Sequence, residues 1–296
     1  MTVTRLQMIA GVELSREQAE NGRRETRRHT LDPHRHPMDR NAPLKIYEQP
    51  LNERIRACLR LDHLFTRIDH HLQSTSRDDA LCTVLLLLEA ADVLSRIDIK
   101  RELIKELERQ QARLMNVPDS PGVDRDKLNA LLDQQNDLIK ALHAYHAQPG
   151  AHLKTHELLN AVRQRASIPG ALCEFDIPGL HYWLSLPDAE RREDIDTWLE
   201  PFTDIRQANE LVISLIRNSV DTMSVVADEG FLQQSIESAT PYQLLRVMID
   251  DDTVCYPEIS AGKHRFTVRF MTLDRENGHP RQVHEDIEFR LALCRL

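Results

Sequence analysis

Lys263, Arg265 and Arg269 occupy alternate positions of a stretch in which Phe266, Val268 and Phe270 take the positions between. Successive side chains of an extended strand point to opposite faces, so the phenylalanines go to a core and the three cations share the other face, with Thr267 between the two arginines. That face is chemically suited to carboxylates, because the planar guanidinium can donate two parallel hydrogen bonds to one of them. The same spacing also fits a solvated sheet face neutralised across the ladder by Glu285 or Glu288. Asp69-His70-His71 has the residue types of a metal site found in some phosphoesterases, which makes a metal-dependent phosphohydrolase around His70 and His71 the competing class. Those sites end a strand, however, and here the three residues fall inside a helical pattern where consecutive positions point about 100° apart and cannot easily share one metal. His34 and His36 lie in a polar N-terminal arm suited to adventitious metal capture rather than to a site.

Other signs of catalysis are missing. Gly262-Lys263 lacks the upstream glycine and following Ser or Thr of a phosphate loop, and there is no dinucleotide fingerprint. Ser and Cys nucleophile motifs are absent, and Asp250, Asp251 and Asp252 are residues of a turn. The expectation is a binding protein with no catalytic residues, no metal and no cofactor. The most aromatic segment, Cys173 to Leu186, brings Phe175, Tyr182 and Trp183 around His181; it is expected in the core, with polar tips available to line a groove.

The chain has 296 residues, enough for two domains. Its net charge of −9 opposes general nucleic-acid binding, which needs an excess of Lys and Arg; a basic-patch RNA binder is the remaining variant of that class. The five cysteines are odd in number and include no close pair, so reduced thiols in a cytoplasm are expected. No apolar run reaches the length of a membrane span, and Met1 to Val12 lacks the pattern of a signal peptide.

Composition then orders the elements. Residues 1–43 carry no aromatic residue and no apolar period, which predicts a disordered N-terminal extension. Met38 is an alternative start, which an intact mass beginning at Met1 would refute. From Leu51 through Ile55, Cys58, Leu61, Phe65, Ile68 and Leu72, apolar residues recur every three or four positions, the signature of a long amphipathic helix. Val84 to Leu88 is apolar all round, as in a helix central to a bundle. Further helices are expected at Ile99 to Met115, after Asp124, and at His152 to Arg165, Gly179 to Leu186, Asp188 to Leu199 and Asp204 to Ser219. From Pro241 the period becomes two, with strands around Val247, Val268 and Phe289 and a turn at Asn277-Gly278. The fold class is therefore α+β: a predominantly helical domain at 44–240, packed with a small antiparallel β domain at 241–296, with 44–48 as a strand to be added to it.

Several ordered segments resemble the ZapD family. These are Tyr47-Glu48-Gln49-Pro50-Leu51-Asn52-Glu53-Arg54, Lys105-Glu106-Leu107-Glu108-Arg109-Gln110-Gln111, Pro121-Gly122-Val123-Asp124, Ser167-Ile168-Pro169-Gly170, Phe175-Asp176-Ile177-Pro178, His181-Tyr182-Trp183 and Tyr256-Pro257-Glu258-Ile259-Ser260 through Met271. The resemblance covers residues 46–291 and implies a cytoplasmic cell division factor that is not an enzyme. It implies a homodimer that binds the C-terminal tail of FtsZ and bundles FtsZ filaments at the midcell division ring. On the matching positions, which include Leu59-Arg60-Leu61, it implies Lys263, Arg265 and Arg269 as partner contacts, with Arg60 and His181 after them. The extension before Leu44 departs from the family, and Thr222 to Thr240 is expected as a variable loop.

Overall fold

The computed structural model describes residues 43–96, 98–116, 124–236, 241–262 and 264–296; the N-terminal extension, the Pro121-Gly122 break and Lys263 lie outside them. The fold is α+β, and the described residues divide into a helical unit, within Glu53–Val117 and Asp126–Ser214, and a β unit formed by residues of Met1–Asn52 and Leu215–Leu296.

The helical unit begins with α1 (Glu53–His71), which has an acid in its first turn and two histidines in its last, favourable ends for the helix dipole. Ile55, Cys58, Leu61, Phe65 and Ile68 of α1 are all but fully buried, as their spacing requires. In α2 (Arg77–Arg96) the residues Val84, Leu87, Leu88, Ala91 and Leu94 are buried. Ser76 caps its start, accepting from the Asp79 amide at 3.0 Å. Next comes α3 (Ile99–Met115), capped by Asp98, whose carboxylate accepts from the Arg101 amide.

One face of α3 buries a charge. The side chain of Glu106 is wholly enclosed, with Arg109 Nε donating to it at 3.1 Å, Arg54 Nη2 at 3.4 Å and Gln110 Nε2 donating at 3.1 Å. Gln110 also reaches the Val212 carbonyl at 3.4 Å. A buried carboxylate stripped of its partners costs about 3–5 kcal/mol, so the Lys105 to Gln111 motif earns a structural explanation before any functional one.

The remaining helices are α4 (Arg125–Ala144), α5 (Ala151–Thr155), α6 (Glu157–Arg165), α7 (Pro178–Ser185), α8 (Asp188–Leu199) and α9 (Thr203–Arg217, its residues through Ser214 in this unit). The single helix expected over 152–165 is two, because His156 takes an extended backbone (ψ 115°) and caps α6, its Nδ1 accepting from the Leu159 amide. Trp183 and Trp198 pack with ring centroids 5.3 Å apart, and the Trp183 indole donates to Asp194 at 2.8 Å.

The β unit corrects two expectations. Instead of one small sheet it has two, both antiparallel: β1 (Leu44–Pro50), β4 (Leu244–Asp250), β8 (Ile287–Cys294) and β2 (Met223–Ala227) in the order β1-β4-β8-β2, and β3 (Phe231–Ser235), β6 (Arg265–Leu273) and β5 (Tyr256–Ala261) in the order β3-β6-β5, with β7 (Pro280–Gln282) also on β6. Strands β2 and β3 occupy the segment expected as a variable loop, so the β unit starts well before Pro241. Their short, weakly alternating sequences MSVVA and FLQQS carry little strand signal. The sheets share one core: Leu245, Val247 and Ile249 of β4 and Phe289 and Leu291 of β8 meet Phe266, Val268 and Phe270 of β6. Phe270 and Phe289 pack edge to face at 5.1 Å, and each fully buried phenylalanine contributes on the order of 2–3 kcal/mol.

Strand β1 pairs with β4 from Leu44↔Asp250 to Pro50↔Leu244. Glu48 there accepts from Arg217 at 2.9 and 2.7 Å and from Arg246 at 2.9 Å, tying β1 to β4 and to the last turn of α9. The Asn277-Gly278 turn is the longer loop its flanking residues suggest: Asp274 accepts from the Glu276 amide and from Arg281, and Gly278 has φ 69°.

Between β2 and β3, Gly230 (φ 74°) lies so close to the segment just after β7 that a Cβ would sit 2.2 Å from the Val283 carbonyl oxygen, whereas at Gly278 it would meet nothing within 4 Å. Chemical denaturation should therefore show Gly230→Ala costing about 2–4 kcal/mol, from the left-handed backbone plus overpacking, and Gly278→Ala only about 1–2 kcal/mol from the backbone alone. Equal losses would mean that the close approach at Gly230 is absent in solution.

Candidate functional site

Burial of Phe266, Val268 and Phe270 turns the alternate residues of β6 outward: Arg265 and Arg269 are exposed and Thr267 is half-buried between them. The register fixes their neighbours. On β3, Ser235 stands opposite Arg265, Gln233 opposite Thr267 and Phe231 opposite Arg269. On β5, Ser260 stands opposite Thr267 and Glu258 opposite Arg269. Phe231 is exposed, and the Arg269 guanidinium lies 5.8 Å from its ring centroid, a cation–π contact that holds the fork over the sheet.

Glu288 does not face this row across the ladder, and Glu285 precedes β8 and lies in no strand. Strand β8 pairs with β4 and β2 in the other sheet, where Glu288 faces Val226. The carboxylate across the ladder is that of Glu258, and among the described residues it forms no ion pair with Arg269 within 4 Å. Among the described residues paired across this ladder, two guanidiniums thus stand against one carboxylate, beside Ser235, Ser260, Gln233 and the exposed Phe231 ring. Lys263 lies outside the described residues.

The other expected contacts belong to the helical unit. Arg60 is exposed on α1 and His181 is exposed on α7. Beside His181 the expectation of a core segment holds only in part: Ile177, Leu180 and Trp183 are buried, whereas Phe175 and Tyr182 are exposed. Proline at the start of α7 sets the helix so that Leu180 and Trp183, three apart, face inward while His181 and Tyr182 point away. A groove of about 660 Å³ in the same unit is lined by Lys100, Arg101, Lys105 and His143 together with Asp98 and Glu108, so its charge is mixed.

The histidine pair on α1 has a local explanation. His71 Nδ1 lies 2.7 Å from Asp79 Oδ1, which joins the end of α1 to the start of α2. Among the described residues no group of three or more His, Cys, Asp or Glu is placed to hold a metal ion. Hydrogen bonds from Ser74, His71 and Ser76 hold the Asp79 carboxyl at about 2, against 3.8 ordinarily. Burial pushes the thiols of Cys58 and Cys294 up to about 12, well away from nucleophilic chemistry near neutrality. No helix among the described residues is long and apolar enough to cross a membrane.

The outward partners Phe231 and Gln233 were not legible beforehand, since nothing in FLQQS announces a strand; Glu258 stood in a noted segment without being recognised as the facing acid.

Comparison with known proteins places this architecture in a class. A family model described as "Cell division protein" matches residues 59–269. The chain is 35% identical to the cell division protein ZapD of Coxiella burnetii (strain RSA 331 / Henzerling II), over 84% of this chain and 97% of that protein. It is 39% identical to ZapD of Nitrosomonas europaea and 38% identical to ZapD of Nitrosomonas eutropha, again over 84% of this chain and over 95% and 99% of theirs. The chain belongs to the ZapD family of cell division proteins.

The Asp79 cluster is open to a direct test. A depressed carboxyl pKa contributes its stability in full above the ordinary value of 3.8 and loses it as pH falls towards 2. Carboxyl-detected NMR titration should place the Asp79 midpoint near 2, and His71→Ala should move it upward; an unchanged midpoint in that variant would remove the histidine from the cluster.

Proposed function

We propose that this chain is a non-enzymatic, cytoplasmic division factor that binds the C-terminal tail of FtsZ on the outer face of β6 and, as a homodimer, cross-links FtsZ filaments at the midcell ring. Membership of a cell division family supplies the setting. The observation that carries the reading is the pair Arg265 and Arg269, exposed on one face of β6 with Thr267 between them. The Arg269 guanidinium, braced over Phe231, loses little freedom when it binds a carboxylate, and the planar fork of each arginine suits a carboxylate better than a flexible surface lysine does. Lys263 extends the row in sequence, and Arg60 and His181 are secondary contacts in the proposal.

Bundling follows from valence. A twofold dimer presents the same face twice, and two tails from different filaments bind with a combined strength far above that of either alone. Each single contact is modest, because a flexible tail loses conformational freedom on docking, and it weakens as salt screens the charges.

The test is fluorescence anisotropy of a labelled FtsZ C-terminal tail peptide titrated with the wild type and with Arg265→Glu/Arg269→Glu, both confirmed folded by circular dichroism. Removal of two charge-assisted contacts should weaken binding about 100-fold, from roughly 1.5 kcal/mol for each contact, and raising salt should weaken the wild type more steeply than the variant. Equal binding by both proteins would move the site towards Arg60 and His181. No binding by the wild type would reject tail capture.

A further inference from the structure

Sheet B, the sheet of β3, β6 and β5, ends at β3, and the backbone of that strand is unfinished. Phe270 N donates to Gly230 O at 2.8 Å and Ile236 N donates to His264 O at 2.7 Å. With the register Phe231↔Arg269 through Ser235↔Arg265, the antiparallel alternation assigns Leu232 and Gln234 to the bonded side and turns the backbone groups of Phe231, Gln233 and Ser235 the other way. The Phe231 amide is taken, donating to Asp228 O at 2.9 Å. Phe231 is thus bridged to Asp228, and among the described residues this leaves the amides and carbonyls of Gln233 and Ser235 without a backbone partner on the outer edge.

Natural sheets guard such edges with Lys, Pro, charged residues or bulges. Strand β5, at the other side of the same sheet, has Pro257 and Glu258, and β1 has Lys45 and Pro50. The sequence of β3, FLQQS, carries none of these. Strand β2 is equally plain, but its neighbour β8 sets Glu288 opposite Val226, which would repel an acidic visitor. Of the two bare edges, only β3 lies beside the basic row.

We propose that this edge takes an extended acidic segment as an added strand of the same sheet, docked along Phe231 to Ser235 with two carboxylates, four positions apart, facing Arg265 and Arg269. The proposal rests on the reading of the partner given above and supplies the binding mode. An added strand lies about 4.8 Å from β3 and about 10 Å from β6, a gap that an extended Arg and an acidic side chain can bridge from opposite sides. Opposite Arg265 stands Ser235, the shortest side chain of the strand, so nothing bulky blocks the crossing. Opposite Arg269 stands the exposed Phe231 ring, which offers an apolar contact to a neighbouring residue of the visitor. Main-chain bonds would then supply affinity that is independent of sequence, and the two arginines the preference for acids four positions apart.

The experiment uses the full chain and the labelled FtsZ tail peptide, together with two peptides of the same sequence N-methylated at alternate amides, one for each parity. An added strand turns only one set of amides towards β3, so one methylated peptide should lose at least tenfold in affinity while the other binds like its parent. In the protein, Gln233→Pro removes one edge donor with no change of charge and should cost at least tenfold, with Gln233→Ala close to wild type; circular dichroism confirms both folded. Binding of both methylated peptides at parental strength, with loss only in Arg265→Glu/Arg269→Glu, would mean capture by side chains alone and overturn strand addition while leaving the partner in place. A change of oligomeric state in Gln233→Pro with peptide binding intact would assign the edge to a second copy of the chain and overturn the proposal as well. Failure of the wild type to bind the parent peptide would remove the proposed function, and the binding mode with it.

Discussion

Everything the basic face can do depends on the burial of Phe266, Val268 and Phe270. Three fully enclosed side chains at every second position lock β6 in one register and one orientation. A slip by one residue would bring the phenylalanines into water and Arg265, Thr267 and Arg269 into the core, at a cost of many kcal/mol. The guanidiniums are held outward because of what their neighbours do on the inside. Hydrophobic patterning, a nondirectional force, thus fixes the direction in which charge is displayed.

Two polar clusters add definition to what burial stabilises. Glu106 lies enclosed among Arg54, Arg109 and Gln110 in the helical unit, and Glu48 joins Arg217 and Arg246 in the β unit. A buried ion pair adds little net stability compared with a well-packed apolar alternative, but a broken one is costly, so each cluster penalises misplaced partners more than it rewards correct ones. Segments conspicuous in the sequence, such as Tyr47 to Arg54 and Lys105 to Gln111, hold members of these clusters. Much of what makes the sequence recognisable is therefore internal wiring, and the outward face of β6 is a small part of it.

The sequence made the helices legible wherever one apolar stripe ran unbroken, as from Ile55 to Ile68, because the 3.6-residue period needs several turns to stand out. It made β4, β6 and β8 legible because each carries strong alternation. It failed at β2 and β3, whose five residues each include few inward positions, and at His156, where one extended residue divides a helical pattern. For the candidate site, the row itself could be read from spacing, but its neighbours could not. Pairing partners are set by the order of strands in the sheet, which a one-dimensional pattern does not encode; this is why the facing acid proved to be Glu258 rather than Glu285 or Glu288.

The pairing of β1 with β4 has a bearing on how the protein comes to be made. Strand β1 leaves the ribosome well before its partner, for Lys45 bonds to the carbonyl of Asp251, 206 residues further along, so its sheet cannot close until that length of chain has been synthesised. At about 5–20 residues per second that is a delay of roughly ten to forty seconds, during which helices with local contacts can already form. The first strand must therefore wait as an unpaired edge, and it is shielded in that interval by its own Lys45 and Pro50. Closure of β1 over β4 is then a late event of biogenesis, and the β unit is the part of the molecule most exposed to premature termination or delayed assembly.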